Sequence, residues 1–232
     1  MNSTLTVDDL QLEVRWSGHR RTVGLTVDRG GELIVHAPEG CQSALIEAFV
    51  REKRLWIYTK LAEKEAFRHN VPAKEYVSGE GFPYLGRSHR LLLVAKQDVP
   101  LRLHHGRFRL LRTEADHGRA HFIRWYSAHA RLWLGDRVER FASQLGVNPA
   151  GVEVRDLGHR WGSCGGRRVL NFHWATILLP ASVAEYVVVH ELVHLREPHH
   201  TPGFWRRVER ALPDFLERKT WLAERGAGLV VV

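Results

Sequence analysis

Residues 186–195 place two histidines, His190 and His194, four positions apart in a run of valine and leucine. On an α-helix this spacing turns about 40° past a full turn and rises about 6 Å, so both imidazoles leave the same face. Glu191 is rotated by about 100° from His190, where its carboxylate can stand beside an ion without binding it. Because buried histidines need partners, the pattern predicts a buried helix with a metal ion on one face.

The residues after this helix provide a turn and a third candidate ligand. Pro198 cannot continue a helix, so the helix should end near Arg196. Thr201, which precedes a proline, is a suitable N-cap for the next helix. His199 and His200 lie in the turn between the two helices, and either can fold back onto the ion. Three protein ligands and a water are usual at a catalytic zinc, and His-Glu-x-x-His is typical of zinc hydrolases.

Length and composition indicate a globular chain of 232 residues, 44% of them hydrophobic and 26% charged. No apolar run approaches the roughly 18 residues of a membrane span, and residues 1–10 lack a signal-peptide pattern. Cys41 and Cys164 cannot form a disulfide framework, so we expect a cytoplasmic protein. The net charge of +8 favours acidic partners, nucleic acid first, although a solvated arginine-rich surface explains it equally well.

The N-terminal half alternates between strand and helix patterns. Residues 11–36 predict a β-meander with a turn at 28–31. A helical pattern then covers residues 43–67, and strand patterns return over 74–112. The predicted apolar positions of the helix include Leu45, Phe49, Val50, Trp56, Ile57 and Leu61. These segments predict a β-rich region over residues 1–112 with one long helix.

Residues 101–111 predict a β-hairpin that turns at His105 and Gly106. Side chains alternate along a strand, so leucine and phenylalanine share one face and basic residues share the other. The predicted basic face consists of Arg102, His104, Arg107 and Arg109. This face can bind phosphates and give weak DNA binding, but a solvated face is at least as good an interpretation.

The C-terminal half is predicted to be mainly helical. A helix with several aromatic residues spans 120–145, and its tryptophans are expected in the core rather than on a nucleic-acid surface. Short strands follow at 152–155 and 169–174. The remaining helices should begin after Pro180, at Pro202 and near Pro213. Together the two halves predict an α+β fold.

Three sequence blocks in this order resemble the YgjP-like metallopeptidase family, and SprT-like and WLM proteases share related features. The blocks are Arg160-Trp161-Gly162-Ser163-Cys164, Leu170-Asn171-Phe172, and His190-Glu191-Leu192-Val193-His194-Leu195 with His200 and Phe204-Trp205. The resemblance implies a zincin-like helical metalloprotease core with a small sheet over residues 113–232. It also implies that His200 is the third ligand, ten residues after the first. Spacing alone leaves His199 open, and Glu209 is a weaker alternative.

The block that contains Cys164 has several interpretations. The thiol can act as a nucleophile with His159 or His173, or it can bind a metal ion. No Cys-x-x-Cys partner exists, so a second zinc site is not expected. The resemblance implies a structural strand and turn beside the active site, and we favour that interpretation.

The expected reaction is zinc-dependent hydrolysis of a peptide bond in a peptide or protein substrate. The three histidines would hold Zn²⁺, whose bound water loses a proton to Glu191, and Glu191 would pass that proton to the leaving amine. The stabiliser of the oxyanion stays open among His159, Arg160, His173 and Tyr186. The alternative is a nucleic-acid-binding module with a structural zinc, which normally needs four protein ligands. A third hypothesis is a protease that acts on DNA-bound proteins.

Overall fold

The computed structural model describes residues 2–27, 31–68, 73–158 and 160–229. The chain divides into two compact units, Met1–Asn70 and Val71–Val232. Both units contain strands and helices, so the predicted α+β class is confirmed. The boundary predicted after residue 112 differs from this division. The reason is that the strands between residues 81 and 111 bury their apolar side chains in the core of the second unit.

The first unit contains a four-stranded sheet. Its strands are β1 (Asn2–Val7), β2 (Leu10–Ser17), β3 (Gly24–Val27) and β4 (Leu33–Pro38). The order is β1-β2-β4-β3, with β2 and β4 parallel, so the predicted meander is wrong and β1 was not predicted. Burial explains this order, because Leu12, Val14 and Val35 of β2 and β4 are buried whereas β3 is only half-buried and suits an edge. Most of the predicted turn at 28–31 lies outside the described residues.

Two helices follow this sheet, α1 (Ser43–Glu52) and α2 (Arg54–Arg68), where one long helix was predicted. They meet at Lys53, with no proline or glycine to signal the break. Lys53 N still donates to Phe49 O at 3.1 Å, so the chain keeps a helical path. Of the side chains that the structure describes in these two helices, Ile46, Val50 and Ile57 are buried, whereas Leu45 and Trp56 are exposed. The predicted apolar face is therefore only partly correct.

The larger sheet of the second unit has the order β5-β6-β8-β7. Its strands are β5 (Gly81–Tyr84), β6 (Arg87–Val94), β7 (Leu101–His104) and β8 (Arg107–Leu111). β7 and β8 form the predicted hairpin, with His105 and Gly106 at φ of 47° and 74° in the turn. Leu101, Phe108 and Leu110 are buried on one face, which confirms the predicted alternation.

The longest helix of the described chain, α3 (Gly118–Leu145), packs against this sheet after a short 3-10 helix (Arg112–His117). Phe122 of α3 stacks on Phe82 of β5 with ring centroids 3.9 Å apart. Trp125 and Trp133 pack at the margin of the same core, as expected for tryptophans at helical spacing. Gly146, at φ 62°, adopts the left-handed conformation that ends many helices.

A smaller sheet and three helices complete the second unit. The strands are β9 (Gly151–Arg155), β10 (Gly162–Cys164) and β11 (Val169–His173); a 3-10 helix (Trp174–Leu178) precedes α4 (Ala181–Val193), α5 (Pro202–Ala211) and α6 (Phe215–Arg225). The sheet order is β10-β11-β9, which puts β10 at an edge. Nine of the 13 residues of α4 are buried, so its valines pack on several sides. Within the described chain, every helix is too short or too polar to cross a membrane.

Candidate active site

The C-terminal end of α4 brings two histidines to one face. His190 lies in the last turn, and His194 is the C-cap residue, still with helical angles of φ −60° and ψ −20°. Their ring centroids are 4.9 Å apart, which confirms the predicted same-face pairing. The regular helix ends at Val193, three residues before the end that was predicted near Arg196. A looser turn continues it, in which Glu197 N donates to Val193 O at 2.9 Å.

Thr201 sets the start of α5 and the position of the residue before it. The Thr201 hydroxyl accepts a hydrogen bond from Phe204 N at 3.3 Å, which is the predicted N-cap. His200 then folds back, so that its Nε2 lies 3.0 Å from Nε2 of His190. The ligand atoms of His190, His194 and His200 all lie within 4.8 Å of one another. The structure therefore brings together all three histidines that the sequence singled out.

The two alternative ligands do not join this cluster. His199 and Glu209 are exposed, and neither belongs to the group of side chains that could hold an ion in the described part of the chain. His199 immediately precedes His200 on the same turn. The geometry of the turn therefore favours the histidine that the family resemblance implied.

The protonation of the cluster suits a metal ion. Burial lowers the pKa of His190 to about 3, and burial is also the main cause of a lowered pKa at His200. His194 Nδ1 lies 3.1 Å from Glu197 O, so an N–H there donates to the carbonyl and leaves Nε2 as an acceptor. A neutral imidazole has a free nitrogen lone pair, which is the form that binds a metal ion, so the lowered pKa of His190 and of His200 favours binding.

The distances within the cluster also fit zinc. A tetrahedral ion with Zn–N bonds of about 2.0–2.1 Å holds two nitrogens about 3.3 Å apart. The 3.0 Å between Nε2 of His190 and Nε2 of His200 is close to that separation. Imidazole donors suit zinc and the neighbouring transition metals. The three histidines therefore form a suitable partial shell that leaves room for a further ligand.

Two aromatic side chains of α5 hold the imidazoles in place. Phe204 is fully buried, and its ring centroid lies 4.7–4.9 Å from those of all three histidines. Trp205 stacks on His200 with centroids 5.6 Å apart and 21° between the planes. Packing on two sides limits the rotation of the rings. The turn and the aromatic wall thus position the ligands before any ion binds.

Glu191 is buried beside the cluster, with 6% of its surface exposed. A Cβ atom at Gly162 would lie 2.7 Å from Oε1 of Glu191, so a side chain at this position would displace Glu191 or push β10 away from α4. Burial raises the pKa of Glu191 to about 8, against opposing effects of Arg160 and a hydrogen bond from the backbone N–H of Cys164. A carboxylate with a raised pKa is suited to accept and release protons.

The hydrogen bonds of β10 explain why its backbone reaches Glu191. Trp161 O accepts from His173 N and Gly165 N donates to Val169 O, both at 2.9 Å, so alternate residues face β11. The peptide groups of Gly162 and Cys164 consequently face the other way, toward α4 and the cavity. This approach was not predicted from the sequence, where the glycine-rich block at 162–166 was its only signal.

A cavity of about 590 Å³ contains the whole arrangement. Its described lining comprises Arg160, Gly162, Ser163, Cys164, Gly165, Gly166, His190, Glu191, His194, Pro198 and His200. Cys164 lies in strand β10, as the resemblance implied, and burial raises the pKa of its thiol, which disfavours a nucleophilic thiolate. A glycine-lined opening next to a buried carboxylate and three imidazoles can admit a polypeptide backbone.

The structure separates the four candidates for oxyanion stabilisation. His173 is 2% exposed, with Nε2 3.2 Å from Asp156 and Nδ1 accepting from Ala175 N, so it does not face the cavity. His159 lies outside the described residues. Arg160 lines the cavity, and Tyr186 lies next to His190 with ring centroids 5.9 Å apart. Burial raises the pKa of Tyr186 to about 12, so its hydroxyl stays a donor.

Comparisons with known proteins give one family and one similar solved structure. The model of the YgjP-like metallopeptidase domain matches residues 21–225, which include every residue of the site. No curated protein matches the chain. Among solved structures, the metallopeptidase zymogen abylysin of Pyrococcus abyssi is similar, with 24% sequence identity and a TM-score of 0.36. That similarity covers 40% of this chain and 96% of abylysin.

Proposed function

The chain belongs to the YgjP-like metallopeptidase family, and we propose that it hydrolyses peptide bonds with a zinc ion held by His190, His194 and His200. Glu191 serves as the general base in this proposal. The observation that supports it best is the convergence of three imidazoles within 4.8 Å of one another, beside a carboxylate that is 6% exposed. Three ligands and one open position are typical of a catalytic zinc.

Each group of the chain has a separate task in the proposed reaction. A bound Zn²⁺ would lower the pKa of water and polarise the scissile carbonyl. Glu191 accepts the proton of the attacking water and returns it to the leaving amine. The N–H of Cys164 holds one side of the Glu191 carboxylate, which keeps the other side directed at the cavity. Arg160 and Tyr186 remain the candidates for the developing oxyanion.

The edge of β10 gives the substrate a place to bind. The outward-facing peptide group of Gly162 can pair with an extended peptide, as in other cases of strand addition. Ser163, Cys164 and Gly165 line the cavity next to it, so a strand there would cross the histidine cluster. This arrangement favours an unfolded or extended segment over a folded surface as substrate.

Metal analysis combined with a cleavage assay tests this function. The purified protein should contain stoichiometric zinc and cleave casein or its own chain. Removal of the ion with a chelator should abolish cleavage, and Zn²⁺ should restore it. Cleavage that survives complete removal of metal would contradict the proposal.

The alternative function, nucleic-acid binding with a structural zinc, has weaker support. A structural site normally closes with four protein ligands, and the described residues contribute three. The basic face of the hairpin is present, however, with Arg102 opposite Arg109 and His104 opposite Arg107. Cleavage assays with and without duplex DNA distinguish a plain peptidase from one that acts on DNA-bound proteins. If the protein acts on DNA-bound proteins, duplex DNA should raise the rate of cleavage.

A further inference from the structure

A second cavity, of about 250 Å³, adjoins the histidine cluster. Its described lining is Arg160, Trp161, Gly162, Tyr186, Val187, His190, Glu191 and Leu222. His190 and Glu191 line both this cavity and the larger one. A group bound in the second cavity would therefore lie next to the bond that reacts.

The walls of this cavity are fixed by packing. Tyr186 and Val187 are 5% and 3% exposed on α4. The carbonyl of Trp161 accepts hydrogen bonds from the backbone of β11 and from the Thr176 hydroxyl. A Cβ atom at Gly226 would lie 2.9 Å from the indole of Trp161, so the ring packs tightly against the end of α6. A cavity with such walls exists before a ligand arrives.

We propose that this cavity binds one large apolar side chain of the peptide substrate, from a residue next to the cleaved bond. The proposal rests on the proposed function. A volume of about 250 Å³ is below the roughly 300–1,000 Å³ of typical small-molecule sites, so one side chain fits better than a separate ligand.

Apolar side chains in the lining support the apolar specificity. Trp161, Val187 and Leu222 line the cavity, and a phenylalanine, leucine or methionine side chain would bury its surface against them. A charged side chain would lose hydration on entering a cavity with such walls, and the burial of a charge costs free energy.

Peptide binding tests the proposal apart from catalysis. The probes are short fluorescein-labelled peptides of one sequence, with Phe, Leu, Gly, Asp or Lys at the positions flanking a single cleavable bond. Zinc-loaded Glu191→Gln protein prevents turnover, and fluorescence anisotropy reports affinity. At one flanking position, Phe and Leu should bind on the order of tenfold more tightly than Gly. Asp and Lys should bind no better than Gly.

Substitutions at Leu222 assign this preference to the cavity. Leu222→Trp fills it, so the Phe peptide should lose its advantage while the Gly peptide binds as before. Leu222→Ala enlarges it and should shift the preference toward a Trp peptide. Leu216→Trp is the matched control, because Leu216 lies on the same helix, is 61% exposed and does not line the cavity. It should leave all affinities unchanged.

The outcomes separate this proposal from the proposed function. Equal affinity for all peptides, no binding of any peptide, or equal effects of the Leu222 and Leu216 variants would overturn the cavity assignment. If the parent protein cleaves peptides without a side-chain preference, the function stands and the cavity assignment fails. If peptides bind with the expected preference but the zinc-loaded parent cleaves none, the cavity assignment stands and the function fails.

Discussion

A Cβ atom at Gly162 would lie 2.7 Å from both Cγ and Oε1 of Glu191. Strand β10 and helix α4 therefore come into close contact where the proposed base is held. Cys164, two residues further along β10, donates its N–H to the same carboxylate. The position of Glu191 thus depends on the absence of a side chain at position 162.

Gly162→Ala should impair catalysis without removing the metal. The added methyl group displaces the Glu191 carboxylate, and a shift of about 1 Å at such a group can lower the rate about 100-fold. The three atoms nearest to that methyl group all belong to Glu191, so zinc content should stay at the parent level. Gly151→Ala is the control, because a Cβ atom there would meet no atom within 4 Å and Gly151 is not in the described lining of the cavity. Equal kcat/KM for the two variants would contradict this role.

The metal should depend on His200 and not on His199. His200 Nε2 lies 3.0 Å from His190 Nε2, whereas His199 is exposed outside the cluster. His200→Ala should therefore lose most of its zinc in a mass-spectrometric metal analysis, and His199→Ala should keep it. Loss of zinc from His199→Ala with retention in His200→Ala would mean that the ligand assignment is wrong.

Two neighbouring residues of α1 should differ in their effect on stability. Ile46 is 1% exposed and Leu45 is 60% exposed. Ile46→Ala should lower the free energy of unfolding of the first unit by about 2–5 kcal/mol, because it leaves a cavity in the core. Leu45→Ala should change it by less than about 0.5 kcal/mol. Hydrogen exchange in peptides from residues 2–68 measures both, and similar protection in the two variants would refute the assigned face.

The basic face should bind DNA weakly and without sequence preference. Changing Arg102, Arg107 and Arg109 to Ser should reduce affinity and flatten its dependence on salt, by about 0.9 in slope for each phosphate that the variant no longer neutralises. The contribution of Arg102 should be the smallest, because its guanidinium lies 3.1 Å from Asp98. Cleavage of a small peptide should not change.

A charge-matched variant provides the control for this experiment. Its substitutions to Ser are at three exposed arginines of α3, namely Arg119, Arg124 and Arg131. If both triple variants bind DNA as tightly as the parent in a low-salt titration, the basic face of the hairpin does not contribute to DNA binding.

The sequence predicted those features that depend on local geometry. His190 and His194 share a face because of helical spacing alone, and Pro198 and Thr201 specify the turn that returns His200 to them. Features that depend on distant pairing were not predicted. The insertion of β4 between β2 and β3 is one example, and the close approach of Gly162 to Glu191 is another. Both arise from packing between segments that carry no mutual signal in the sequence.

The prediction for the N-terminal helix failed for a related reason. Hydrophobic residues at 45, 46, 49 and 50 are compatible with more than one buried face. Which face is buried depends on the sheet beneath, and the structure buries Ile46 and Val50. Periodicity therefore located the helical segment but did not fix its rotation or the break at Lys53.

The Glu191→Gln variant tests the central claim most directly, with zinc content and peptide cleavage measured on the same preparation. Glutamine keeps an oxygen that can accept the Cys164 N–H, so the local structure should survive the change. It cannot take a proton from water, so cleavage should fall by about 10²–10⁴-fold while zinc stays at the parent level. Parent-level cleavage by the zinc-loaded variant would contradict the account.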